Sequence, residues 1–266
     1  MKSNLHTHTT WCDGKNTPRE MVETALSLGF HTLGFSSHSY TPFDTSFCLK
    51  DSKGYVREIR TLQKEYEGRI QLLLGVELDA LGECDFDPDY IIGAAHYVTA
   101  KGMHYIIDNT YACQRQLIDE GFGGNAMDAV KAYFESLPEM VYRKKPDIVA
   151  HFDVFAKFNE QYPVFDEQSE EYLALAYAAV DGIMEGCKLF EVNTGGVYRG
   201  YRAAPYPALP ILKYIHDRGG EVVITTDAHK TEGLNFGFDK AKEVIRQAGF
   251  ERLRVMTPNG WANMLI

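Results

Sequence analysis

The chain has 266 residues, 45% of them hydrophobic and 24% charged, which is ordinary for a globular protein able to bury a large core. Its formal charge of −10, from 37 acidic against 27 basic residues, disfavours a nucleic-acid groove, which needs a basic surface. No apolar run is long enough to span a bilayer, and the N-terminus turns polar at once with Lys2, Ser3 and Asn4; no membrane association is expected, and the cytoplasm is the default location.

The first strand is predicted near residues 2–6 and runs into Leu5-His6-Thr7-His8. Side chains alternate along a strand, so His6 and His8 share one face. Thr17-Pro18 then predicts a helix start, with Met21, Ala25 and Leu28 on one face and an end near Gly29. A second strand near 31–37 leads to His38, and a helix is expected over 51–67. The third strand, near 70–77, ends on Glu77, and the fourth, near 90–96, ends on His96. Residues 99–124 fit no strand–helix unit; Gly102, Asn109, Gly121, Gly123 and Gly124 predict an inserted loop. A helix over 125–143 precedes a strand near 147–152 that carries His151. Helices over 166–186 and 207–218 precede strands near 188–193 and 221–226, the last running into Asp227 and His229. A helix over 237–248 closes at Gly249. The five cysteines, Cys12, Cys48, Cys84, Cys113 and Cys187, form no C-x-x-C pair, which suits a reducing compartment and not a zinc–thiolate site.

Strand–helix alternation predicts a parallel sheet with helical crossovers, and about seven such units favour a closed α/β barrel over an open doubly wound sheet. Residues 1–266 are expected to form one domain. In a parallel barrel every strand C-terminus meets at one mouth. Six of the nine histidines would then stand there with at least two carboxylates. Alone, each has a plainer reading: a strand-end His is more often a hydrogen-bonded structural residue, Glu77 could pair with an Arg, and Asp227 could cap a helix. Together they are costly to bury without a counter-charge, which divalent cations supply. His31, His104 and His216 fall outside the pattern. Imidazole and carboxylate without thiolate suit zinc, iron or manganese, and so many ligands imply two or three ions. Such a cluster is suited to phosphate-ester hydrolysis.

At these positions the sequence resembles the PHP (polymerase and histidinol phosphatase) superfamily. His6-Thr7-His8-Thr9-Thr10-Trp11-Cys12-Asp13-Gly14 looks like its first motif and Gly34-Phe35-Ser36-Ser37-His38 its second. Gly75-Val76-Glu77 looks like the third and Thr226-Asp227-Ala228-His229 the last. The resemblance implies a distorted (β/α)7 barrel with, usually, three metal ions. His6, His8, Glu77 and Asp227 would hold one; Glu77, His96 and His151 a second; Asp13, His38 and His229 the third. Asp13 enters only through the resemblance, since an Asp before Gly14 otherwise reads as a turn residue. Ser37 stands where the family often has Asp.

Within the superfamily the chain is most similar to the histidinol-phosphate phosphatases, through Gly93-Ala94-Ala95-His96-Tyr97, His151-Phe152-Asp153-Val154-Phe155 and Phe190-Glu191-Val192-Asn193-Thr194. That likeness implies hydrolysis of L-histidinol phosphate, a step of histidine biosynthesis, by a hydroxide bridging the metals. Glu77 would bridge, and Asp227 or His229 would serve the leaving group. Arg199 or Arg202, with Lys157, would take the phosphate. The alternative substrates are other small phosphate esters, such as a nucleotide or sugar phosphate. An amidohydrolase-type barrel also opens with H-x-H, but it bridges its metals with lysine where this chain presents Glu77 and His96.

Overall fold

The computed structural model describes residues 2–266. Seven strands form one parallel sheet: β1 (Ser3–Asn4), β2 (Thr32–Phe35), β3 (Gln71–Asp79), β4 (Tyr90–Ala94), β7 (Ile148–Val149), β8 (Leu189–Asn193) and β9 (Glu221–Thr225). Their order in the sheet is their order in the chain, and every neighbouring pair is parallel. First and last meet through one parallel bridge, Thr7 with Ala228, where the His8 N–H donates to the Ala228 carbonyl at 2.9 Å. The result is a nearly closed (β/α)7-type barrel with its seam at the mouth. An open doubly wound sheet would reverse its strand order midway, and this one does not.

The predicted helices form with their expected ends. In α1 (Pro18–Ser27), Thr17 and Glu20 cap each other's backbone N–H groups, and Gly29 leaves the helix at φ +73°. Asp51 caps α2 (Ser52–Glu65) on the Gly54 N–H. The helices α4 (Ala126–Lys144), α5 (Glu170–Met184), α7 (Leu209–Asp217) and α8 (Phe238–Gln247) complete the shell, with the one-turn α6 (Gly195–Tyr198) just past β8.

Three expectations need correction. Residues 99–124 are not a loop. They belong to an antiparallel hairpin, β5 (Tyr97–Ala100) and β6 (Met103–Ile106), followed by α3 (Tyr111–Gln116) and a wider turn over Leu117–Gly121. Lys101 and Gly102 at φ +49° and +76° make the tight two-residue turn. Secondly, the chain ends in a hairpin, β10 (Arg252–Thr257) and β11 (Gly260–Leu265), that the strand count did not include. Thirdly, β1 and β7 are shorter than predicted. Near the mouth the ladder thins: the Thr7 N–H donates to Ser36 Oγ, while the Ser36 N–H still donates to the Thr7 carbonyl at 2.9 Å.

Leu5, Tyr90, Ile92, Ala94, Ile148, Ala150, Leu189 and Val223 form one buried cluster drawn from strands around the barrel. Tyr90 has room because Gly34 and Gly75 lie against its ring, where an added Cβ would come within 2.3 Å of it. Met256 and Trp261 of the last hairpin pack on this cluster, with Met256 N–H donating to Ser3 Oγ at the strand-start end. The opposite end is left for polar groups.

Candidate metal centre

The metal-type residues lie at or just past the C-terminal ends of the barrel strands. His6 and His8 follow β1, His38 follows β2, His96 follows β4, His151 follows β7, and Asp227 and His229 follow β9, while Glu77 lies within β3. The structure brings all of them together, with Asp13 from the loop after β1. Glu77 is the hub and is 1% exposed. Its Oε2 lies 2.8 Å from His38 Nδ1 and 3.4 Å from both His6 Nε2 and His8 Nε2. Its Oε1 lies 2.9 Å from His151 Nε2 and 3.2 Å from His96 Nε2. Asp227 Oδ1 is 3.2 Å from His8 Nε2 and 3.6 Å from His6 Nε2. Asp13 Oδ2 is 3.2 Å from His229 Nε2, and its Oδ1 is 3.7 Å from His38 Nε2.

Two ligands bound at 2.0–2.1 Å to a tetrahedral ion stand about 3.3 Å apart. Seven of the nine separations lie between 3.2 and 3.7 Å, close to that value, and four of them exceed the ordinary hydrogen-bond range. His6 Nε2, His8 Nε2 and Asp13 Oδ1 are buried with no hydrogen-bond partner. Buried polar atoms seldom go unpaired, so these orphaned ligand-type atoms fit bound cations. The ligand atoms fall into overlapping groups: His8, Asp13, His38 and His229; His6, Glu77 and His151; His6, His8 and Asp227; His38, Glu77 and His96.

The titratable groups of the cluster are shifted by one another and by burial. Burial, with the neighbouring His229 and His38, pushes the His8 imidazole down to about 3. Burial would lower His6 too, but Glu191, Glu77 and Asp227 hold it well above its ordinary value. Burial opposes ionisation of Asp227, yet Arg199 and His6 keep its carboxyl well below the usual range. Asp227 also sits at φ +50°, a conformation costly for most residues but tolerated by Asp. That turn sends its side chain to the centre and its carbonyl oxygen to Arg199 and His229.

A cavity of about 280 Å³ opens over the centre, lined by Asp13, His38, Glu77, His96, Asp227 and His229 among others. Arg199 and Lys157 also line it. Arg199 grips Asp227 through Nη2–Oδ2 at 2.7 Å and Nη1–O at 3.1 Å. Lys157 donates to the Asp108 carbonyl oxygen and lies 3.6 Å from its carboxylate. Arg202 does not line the cavity: it forks onto Glu167 at 2.8 and 2.6 Å and onto the Ala156 carbonyl at 2.8 Å. A larger cleft of about 420 Å³, between α8 and the last hairpin, holds none of the clustered ligand groups.

Sequence reasoning missed Glu191 and Asp79, both buried behind the imidazoles. Glu191 Oε2 is 2.8 Å from His6 Nδ1, and Asp79 Oδ2 is 3.1 Å from His96 Nδ1. Strand period was the available signal. Glu77 and Asp79 are two apart on β3, as are Glu191 and Asn193 on β8, so each pair shares a face. Lys15 and Lys230, at the cavity rim, were missed as well.

Relatives match this chain over most of its length. The "Probable histidinol-phosphatase" of Deinococcus radiodurans is 30% identical, over 92% of this chain and 92% of that protein. The histidinol-phosphatase of Bacillus subtilis is 25% identical, over 90% of this chain and 97% of that protein. The crystal structure of histidinol phosphate phosphatase from Lactococcus lactis, which contains zinc, L-histidinol and phosphate, shares the fold with a TM-score of 0.71 at 20% identity, covering 98% of both chains. The sequence signature of the PHP domain matches residues 4–195, from β1 past β8, and so spans most of the barrel and every ligand-type position except Asp227 and His229. With that match, and with those two residues delivered to the same mouth by the last barrel strand, the chain belongs to the PHP domain family.

Proposed function

We propose that the chain is a metal-dependent phosphomonoesterase that hydrolyses L-histidinol phosphate to L-histidinol and phosphate. The observation that carries this reading is the convergence of six imidazoles and three carboxylates beneath a small cavity that also presents Arg199 and Lys157. The names of the full-length relatives support the choice of substrate.

His6, His8, Glu77 and Asp227 would hold one ion, Glu77, His96 and His151 a second, and Asp13, His38 and His229 a third. Zinc, manganese or iron, if bound by these residues, would supply a water of lowered pKa and a charge match for the phosphoryl oxygens. Arg199, with its fork of donors, takes the phosphate from one side of the cavity and Lys157 from another. The leaving alkoxide needs a proton or a metal contact, which Asp227 or His229, with Oδ1 and Nδ1 3.5 Å apart, would serve. Phe47, Ile106 and Val154 line the cavity and limit water around the reacting groups. The substrate is a small molecule. Among the described residues, no helix is long and apolar enough to cross a membrane.

The test is turnover of histidinol phosphate against a panel of phosphomonoesters, before and after chelation and after return of zinc, manganese or iron. Loss on chelation and recovery with metal is expected, with histidinol phosphate preferred. A chelated protein as active as the loaded one refutes the mechanism. Preference for a nucleotide or sugar phosphate replaces the substrate and keeps the reaction class.

A further inference from the structure

We propose that Glu191 and Asp79 are positioning residues that fix His6 and His96 in the tautomer presenting Nε2 to the centre, so that the ions beside them are held more tightly than the ion beside Asp13. The inference rests on the metal reading above.

Glu191 is fully buried and all its contacts are specific. Oε2 accepts from Thr225 Oγ1 at 2.7 Å and faces His6 Nδ1 at 2.8 Å. Oε1 accepts from the His151 N–H at 2.5 Å and from Asn193 Nδ2 at 2.8 Å. One carboxylate thus ties together the ends of β1 and β7, β8 itself, and β9. Held from four sides it cannot turn, and an ionised carboxylate only accepts. The proton of His6 therefore sits on Nδ1, which leaves the Nε2 lone pair facing Glu77 and Asp227. Asp79 repeats the device. Its Oδ2 accepts from the His96 N–H at 2.8 Å and faces Nδ1 at 3.1 Å, while Oδ1 accepts from the Leu81 N–H at 2.7 Å.

Around Asp13 the backing is of another kind: His38 Nδ1 faces Oε2 of Glu77, itself a candidate ligand, at 2.8 Å, so no separate carboxylate stands behind that imidazole. His229 Nδ1 faces the neutral carbonyl oxygen of Asp227 at 3.0 Å, with Oδ1 of the same residue, again a candidate ligand, farther off at 3.5 Å. The Asp13 side chain is 34% exposed and that of His229 24%, against 0% for His6 and 5% for His96. A carboxylate behind a ligand imidazole raises its basicity and fixes its orientation, and its loss typically costs 10–100-fold in metal affinity.

The experiment loads the whole protein with zinc, titrates it with a chelator and counts the retained zinc. Wild type should release one ion first and keep the others to higher chelator. In Glu191→Gln and in Asp79→Asn, one retained ion should weaken by about 10–100-fold, with the first-released ion unchanged. Long-range proton–nitrogen NMR of zinc-loaded wild type reads the tautomers directly, whether or not the variants fold, and should show protonated Nδ1 on His6 and His96. Release of all ions together, unchanged affinity in folded variants, or an unprotonated His6 Nδ1 overturns the proposal while leaving the enzyme reading in place. Failure of wild type to bind stoichiometric zinc, manganese or iron overturns both.

Discussion

The two arginines past β8 make opposite predictions, although sequence alone offered both for the phosphate. Arg199 lines the cavity, and its Nε is buried without a partner while Nη1 and Nη2 engage Asp227. A hydrogen bond to a charged group contributes about 1.5–3 kcal/mol, and each 1.36 kcal/mol is tenfold in rate. Arg199→Ala should therefore lower kcat/KM by about 10- to 150-fold and weaken competitive inhibition by inorganic phosphate by a similar factor. Arg202 has its fork filled by Glu167 and its Nη1 on the Ala156 carbonyl, outside the cavity. Arg202→Ala leaves the Glu167 carboxylate, only 13% exposed, without its partner. The expected loss is about 1–3 kcal/mol of stability, or roughly 2–12 °C in Tm at 2–4 °C per kcal/mol, with kcat/KM nearly unchanged. Steady-state kinetics and thermal unfolding of the two variants, side by side, read both effects. If Arg202→Ala loses phosphate affinity and Arg199→Ala keeps it, the assignment of the phosphate site is wrong.

His8→Ala removes an imidazole shared by the Glu77 and Asp227 sides, so bound metal and turnover should fall together; elemental analysis showing full metal with lost activity would contradict its role as a ligand. Gly75→Ala would set a Cβ 2.3 Å from Tyr90 Cζ. It should cost about 1–3 kcal/mol in denaturant unfolding, and an unchanged midpoint would mean the Tyr90 ring is not wedged there. Burial raises the Asp153 carboxyl from 3.8 to about 6, so its native state holds the proton more firmly than the unfolded chain. The stability this contributes is present below pH 3.8 and is lost as pH rises through 6, about 3 kcal/mol in all. Asp153→Asn should accordingly gain stability relative to wild type between those limits. Comparing the two proteins at each pH cancels any metal loss they share, and parallel curves would show that Asp153 does not titrate in this range.

What the sequence revealed and what it hid follow from one distinction. His6, His8, His38, Glu77, His96 and His151 were legible because strand period and strand direction are local properties, and parallel closure then sends every strand end to one place. The β5–β6 hairpin carried a local signal too, β-branched and aromatic runs around Lys101-Gly102, but it interrupts the strand–helix rhythm and was read as a loop. Glu191 and Asp79 were hidden for a different reason. Strand period and parallel closure place Glu191 near the mouth, but that its carboxylate stands behind His6 Nδ1 depends on neighbours in space that the sequence does not name. The Asp227 turn lies at the same level. Its φ of +50° lets Ala228 pair with Thr7 while the side chains of Asp227 and His229 both reach the centre. The backbone that closes the barrel is therefore the backbone that presents the ligands, with His6 and His8 on one side of the seam and Asp227 and His229 on the other. Among the described residues, one isolated bridge, Thr7 with Ala228, joins the segments after β1 and β9 across that seam. Cations gripped from both sides would complete the closure that the hydrogen-bond ladder leaves unfinished.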